Sequence, residues 1–284
     1  MFSRLLKYEW KANAKVLGIL SLAAGGIGIL ATVVLRLLLR YGENQIFIYN
    51  VWAVLAAAAM GMFLFFGAIA LSIYVIAVQV ILLYRFYKSK FTDEGYLTFT
   101  LPVKTTEIFW SSFVNILLWL LITIAIVVAI VFVVILFGTA ETGLINRDVF
   151  VVIGELIDFF AGEDWIAVLT ESGGAAYLVI LVLTALVSPF YALFVPMCCI
   201  TVGAVLAKKH KILASFGIYY GVNFVVGIIT SVATVVPSLF LLSNNDIAMY
   251  YTVSGAVQLT ITTALTLGAY FLTIYLMKHK LNLP

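Results

Sequence analysis

The sequence predicts an all-α polytopic membrane protein with six transmembrane helices, both termini cytoplasmic, and an N-terminal amphipathic interfacial helix. Three observations predict it: the composition, the spacing of the charges, and the side of the membrane on which Lys and Arg fall. Of 284 residues, 64% are hydrophobic and 10% are charged, with a mean hydropathy of +1.18. An ordinary soluble domain is about 25% charged, and a water-soluble chain of this length has too little interior to bury so much apolar surface. The composition therefore excludes a soluble enzyme, a nucleic-acid binder, a disulfide scaffold and a disordered chain.

The spans are the gaps between charges. Uncharged stretches run Val16–Leu35, Asn44–Tyr84, Ile108–Ala140, Ser172–Ala207, Ile212–Asn245 and Ile247–Met277. About 20 apolar residues cross a bilayer core, so each stretch holds at least one helix. The second gap is 41 residues long, but it opens on polar Asn44, Gln45 and Asn50 and contains no proline. It reads as one long helix from about Val51 to Tyr84. Six spans result.

Orientation follows from the basic residues in the connections. Thirteen of the 16 Lys and Arg fall on one side, in the N-terminal segment, the second and fourth loops and the C-terminal tail; only Arg36, Arg40 and Arg147 fall on the other. Placing the 13 in the cytoplasm puts both termini inside. A hairpin in the 41-residue gap would destroy this bias. The acidic residues run the other way, with nine outside and four inside. The apolar run of the first span is too long for a signal h-region, so no cleavable leader is expected. The chain thus divides into an amphipathic helix at 1–15 and a six-helix transmembrane domain at 16–284. That domain carries a cytoplasmic loop at 85–107 and an extracellular acidic loop at 138–174.

What the spans omit narrows the function. From Val51 to Leu83 and through the four later spans there is no Asp, Glu, Lys, Arg or His. Proton- and sodium-coupled carriers keep an ionisable group near the midplane to bind the coupling ion. The polar side chains that remain, Gln79, Asn115, Asn223 and Gln258, either bridge helices by hydrogen bonds or line a path. Gly217 and Gly221, spaced G-x-x-x-G, predict a close helix contact. Cys198 and Cys199 read as packing residues, because no second cluster of ligands accompanies them.

No catalytic residue, metal ligand or bound cofactor is expected. His210 and His279 each lie between lysines in cytoplasmic connections, and there is no H-E-x-x-H. Gly138 and Gly143 have the spacing of a phosphate loop, but Leu144 stands where its Lys belongs. The chain does not hydrolyse ATP by itself, and any chemical energy must come from a partner.

Two cytoplasmic features suggest one. Arg4, Lys7, Lys11 and Lys15 recur at spacings of three, four and four, while Phe2, Leu5, Leu6 and Trp10 lie on the opposite side. That pattern predicts an interfacial helix under the bilayer, either a moving elbow or a plain membrane anchor. The second feature is the loop YRFYKSKFTDEGYLTFTLPVKTTEIF. Thr92 can cap a short helix whose N-terminus Asp93 and Glu94 complement. Pro102 stops it, and Thr105 or Thr106 starts the next span with Glu107 in its first turn. Phe91, Tyr96, Leu97, Phe99 and Leu101 need burial, against neighbouring helix ends or against another protein.

The run FTDEGYLTFTLPV, placed between the second and third of six spans, resembles bacterial ABC-2-type transporter permeases, the membrane subunits of ABC transporters. The amphipathic N-terminus, the inside-inside topology and the lack of a nucleotide site match as well. The resemblance covers the whole chain in topology and about a dozen residues in sequence. It implies a permease of the bacterial cytoplasmic membrane that pairs with a second permease, identical or paralogous, and with two ATP-binding subunits that carry ATP and magnesium. It also implies that the loop after the second span seats in the ATPase, a role that falls here on Phe91, Thr92, Asp93, Glu94, Gly95, Tyr96, Leu97, Phe99 and Leu101. An exporter of amphipathic or hydrophobic cargo, such as a peptide or lipid, is the expected activity. The competing class is a stand-alone channel or uniporter whose loop packs only on its own helices. One departure concerns the family's re-entrant outer helices between the fifth and sixth spans. Here that connection is only Ser243, Asn244, Asn245 and Asp246, and Pro237 is the residue expected to break the fifth helix.

The larger outer connection carries seven acids against one base, Arg147. Val149, Val152, Ile153, Leu156, Ile157 and Phe160 predict an amphipathic helix, with Glu155 and Asp158 toward its other face. Glu155, Leu156, Asp158, Phe160, Glu163 and Asp164 form either a lid on the membrane surface or an acidic gate for cationic cargo. The topology is open to a direct test. A reporter fused after Lys280 is expected to read cytoplasm and one inserted near Glu163 to read outside; the same side for both overturns the six-span count.

Overall fold

The structure is a computed structural model and describes residues 2–42, 51–100, 103–138, 154, 155, 158, 174–207, 209–241 and 247–279. The described residues form helices α1 (Phe2–Gly42), α2 (Val51–Phe91), α3 (Asp93–Phe99), α4 (Thr105–Gly138), α5 (Gly174–Leu206), α6 (Lys211–Leu241) and α7 (Ile247–His279), with no strand among them. All but α3 are long and apolar enough to cross a membrane, so there are six candidate spans. The 41-residue gap indeed holds a single helix, α2. In hydrocarbon every backbone N–H and C=O must find its partner within the protein, which a continuous helix achieves by itself.

Three boundaries differ from expectation. No break occurs at residue 15: α1 is one helix of 41 residues, about 60 Å long at 1.5 Å per residue. Neither Gly nor Pro occurs between Phe2 and Leu17 to interrupt it. Helix α2 continues seven residues beyond Tyr84, so Arg85–Phe91 is helix rather than loop. Pro237 lies inside α6, which runs on to Leu241 instead of breaking. Proline's fixed φ is compatible with a helix, and a full break within hydrocarbon would orphan several groups instead of one carbonyl. At Pro189 in α5 even that carbonyl is served: the Ser188 hydroxyl donates to Ala185 O at 3.1 Å, where the proline has no N–H to offer.

The chain divides into two compact units. One comprises Lys7–Leu82 and Leu118–Gly162. In it Trp10 of α1 stacks on Trp119 of α4, ring centroids 4.6 Å apart, and the Ser21 and Tyr74 hydroxyls lie 2.9 Å apart. Gly28 of α1 faces Ile130 of α4 so closely that a Cβ would collide with the isoleucine side chain.

The other unit comprises Met1–Leu6, Leu83–Leu117 and Glu163–Pro284. Helices α5, α6 and α7 pack on one another in it. Leu193, Phe194, Val195, Met197, Cys198 and Cys199 form its buried run on α5, and Thr273 and Met277 are buried on α7. Elsewhere the long helices expose large apolar side chains such as Phe224 and Leu239 of α6, as surfaces facing lipid do.

Within the chain, the reading of Asn223 as a bridge between helices and that of Gly217 and Gly221 as a close contact do not hold. Asn223 does not bridge helices; its Nδ2 donates to Tyr219 O of its own helix at 2.8 Å. Asn115 is buried, and its Oδ1 has no hydrogen-bond partner. For Asn223 the carbonyl one turn back lies within reach and competes with a partner on another helix. Gly217 and Gly221 make no close contact, since both are exposed with open space where a Cβ would stand. The close approach occurs at Gly203 of α5, where a Cβ would come within 2.7 Å of the Ser215 backbone nitrogen on α6. Gly203→Ala is therefore expected to force α5 and α6 apart and to cost about 1–3 kcal/mol, whereas Gly217→Ala leaves stability unchanged. Thermal unfolding in detergent separates the two.

Candidate functional site

The connection after the second span is shorter and more ordered than its sequence suggests. Residues 85–91 complete α2 and 105–107 begin α4, leaving 92–104 with the seven-residue α3 inside it. Thr92 has the extended backbone of an N-cap residue, φ −117° and ψ −170°, but its side chain does not cap α3. Its hydroxyl instead donates to Lys88 O at 2.5 Å. Lys88 O is among the last four carbonyls of α2, which lack intrahelical donors, so Thr92 serves the helix it follows. The first turn of α3 is closed by Gly95 N–H donating to Thr92 O at 2.7 Å, and its end by Thr100 N–H donating to Tyr96 O at 3.1 Å. Glu107 stands in the first turn of α4, as expected. There the Lys104 carbonyl accepts from both Glu107 N–H and Ile108 N–H, at 2.9 and 3.2 Å.

The expected partner-contact residues fall into two groups. Phe91 is 4% exposed, its ring 5.8 Å from Phe86 and 6.1 Å from Tyr87, and Gly95 is buried as well. Both are buried, so neither offers a contact surface. Tyr96 is 60% exposed, Glu94 is exposed, and Phe99 is half-buried. Glu94 reaches back to the Lys88 ammonium at 3.2 Å, with both side chains about half exposed. A pair so wet contributes little stability, about 0–1 kcal/mol, and serves mainly to orient α3. The side chains of Asp93 and Leu97, and Leu101 altogether, lie outside the described residues.

Lys90, one of the basic residues of the second loop, is 2% exposed. Spacing carries the signal: Tyr74, Val78, Leu82, Phe86 and Lys90 recur every four residues along α2 and all are buried. The charge takes the last place on an inward stripe.

A second feature escaped the sequence altogether. Phe109, Trp110 and Phe113 at the start of α4 interlock with Phe190 and Phe194 of α5 and Tyr270 of α7. Phe194 is central, 4.7 Å from Phe113, 5.4 Å from Phe109 and 5.6 Å from Tyr270. Trp110 adds a contact to Tyr270 at 5.9 Å. Each such pair contributes about 0.5–1.5 kcal/mol beyond simple burial. The four-residue spacings 109–113 and 190–194 hint at two ring-bearing faces, but which helices meet through them is a long-range fact.

On α1, Arg4, Lys7, Lys11 and Lys15 are exposed, and Phe2, Leu5, Leu6 and Trp10 are half-buried. The stack of Trp10 on Trp119 removes that ring from the face expected to lie on lipid. Of the outer lid or gate, Glu155 and Asp158 are exposed, while Leu156, Phe160, Glu163 and Asp164 lie outside the described residues. Cys198 and Cys199 are buried thiols. Among the described residues no three His, Cys, Asp or Glu side chains gather into a group able to hold a metal ion. Comparison of the chain with protein-family models, with curated proteins and with solved structures gives no match.

The geometry separates a buried ring at the end of α2 from an exposed one on α3. Phe91→Ala should cost about 3–5 kcal/mol, as for a buried ring, whereas Tyr96→Ala stays within about 0.5 kcal/mol of the parent. Unfolding midpoints of the two variants in detergent check the difference.

Proposed function

We propose that this chain is the membrane-spanning permease subunit of an ATP-driven transporter of the ABC-2 type, an exporter of an amphipathic or hydrophobic cargo such as a peptide or lipid. The observation that carries the reading is α3, a short helix held between two membrane-spanning helices with Glu94 and Tyr96 outward. An exposed aromatic on a rigid, pre-ordered helix has the properties of an interface anchor, because little entropy is lost when a partner covers it. The partners in this reading are two ATP-binding subunits, which carry ATP and magnesium, and a second permease, identical or paralogous. The chain itself has no catalytic role.

In this reading the termini and the 92–104 connection face the cytoplasm of a bacterial cell, as the distribution of Lys and Arg favours. ATP binding moves the partner against α3, and the motion enters α4 at Lys104. From there Phe109, Trp110 and Phe113 press on Phe194 and Tyr270, which belong to α5 and α7. The hydroxyls of Thr201, Thr262, Thr266 and Thr273 bond to carbonyls of their own helices. The absence of charged side chains from Val51–Leu83 and from the four later spans favours an apolar or amphipathic cargo over an ion.

The test is purification with the ATP-binding subunit, recognised by G-x-x-x-x-G-K-[ST] in a neighbouring reading frame. The wild-type chain is expected to retain that subunit and its ATP hydrolysis through a mild-detergent purification. Tyr96→Ala should weaken the association about thirtyfold, the effect of losing an anchor worth about 2 kcal/mol, with insertion unchanged. Equal association by wild type and Tyr96→Ala overturns the role of α3, and the absence of any associated ATPase overturns the transporter reading.

A further inference from the structure

The start of α1 has two faces with different fates. Trp10, Asn13 and Leu17 form the inward face: Trp10 stacks on Trp119, and Asn13 and Leu17 are 4% and 1% exposed. Arg4, Lys7, Lys11 and Lys15 lie about 120° around the helix from them, at 100° per residue. All four are exposed, and among the described residues no carboxylate pairs with any of them.

The continuity of α1 sets how deep these charges sit. Lys15 and Arg36 bracket the 20 uncharged residues Val16–Leu35, about 30 Å of helix and the thickness of the hydrocarbon core. Lys15 therefore stands at the hydrocarbon edge. Lys11 is about 6 Å farther out, within a headgroup layer roughly 5–8 Å deep. Lys7 and Arg4, about 12 and 16 Å out, stand beyond that layer and act on it only through a field screened over about 8 Å.

We propose that Lys11 and Lys15 of an upright α1 hold anionic phospholipid headgroups in one leaflet. Trp10, part of the apolar face that a helix lying flat would press into the membrane, is already stacked on Trp119. What remains toward the surroundings is positive charge at headgroup depth, and the matching occupant is a lipid phosphate with net negative charge. The inference is independent of any ATPase.

The full-length chain is reconstituted into vesicles of phosphatidylcholine and phosphatidylglycerol and repurified, and the lipid that stays with it is measured by mass spectrometry. Wild type is expected to retain phosphatidylglycerol preferentially, less so as salt rises. K11Q/K15Q should lower that enrichment roughly tenfold to thirtyfold, the size expected for two cations at the membrane surface. K11R/K15R should keep it, and R4Q/K7Q should stay within about twofold of wild type. The proposal fails if K11Q/K15Q retains the wild-type enrichment, or if K11R/K15R loses it. It fails also if R4Q/K7Q falls as far as K11Q/K15Q, because equal weights place all four cations at one depth on a helix lying flat. Displacement of the lipid by inorganic phosphate at low concentration would instead mark a phosphate site and overturn the lipid assignment.

Discussion

The hydrocarbon core leaves no water to satisfy backbone N–H and C=O groups, and the rest of this structure follows from that constraint. It keeps α2 a single helix through its long uncharged stretch and carries α6 through Pro237. It also determines what the small polar side chains do. Thr32, Thr123, Thr201, Thr266 and Thr273 each donate to a carbonyl four residues back, and Ser188 covers the one that Pro189 leaves open. With hydroxyls engaged inside their own helices, few groups remain to join one helix to another. Cohesion then depends on shape: the bare backbone of Gly203 against α6, Gly28 under Ile130, and the rings around Phe194.

The spans were legible because charge is so costly in hydrocarbon that its absence marks the membrane. The same logic explains the errors at helix ends. A charge such as Arg85 marks where hydrocarbon stops, but an α-helix is equally at home in water, and α2 continues to Phe91. The basic start of α1 was separated from its span on the same ground, although nothing in the backbone chemistry of residues 2–17 interrupts a helix. In the site, the existence and place of α3 could be read from Asp93, Glu94 and Pro102. Which aromatic of the 91–101 run is buried could not, because Phe91, at the end of α2, and Tyr96, on α3, differ mainly in what surrounds them. Thr92 was read as a cap for the helix it precedes, when the orphan carbonyl of the helix it follows lay nearer. Lys90 was legible in principle, since every fourth residue from Tyr74 onward faces inward.

The helix ends on either side of α3 are each fixed by aromatic packing: Phe91 against Phe86 and Tyr87 on one side, Phe109 and Trp110 against Phe194 and Tyr270 on the other. Close-packed rings transmit displacement instead of absorbing it, because an interior at crystal-like density has no slack to deform into. The Lys88–Glu94 pair, half in water, adds little to the hold on α3. Firm packing thus lies at the ends of α2 and α4, and the outward face of α3 between them is only loosely tethered.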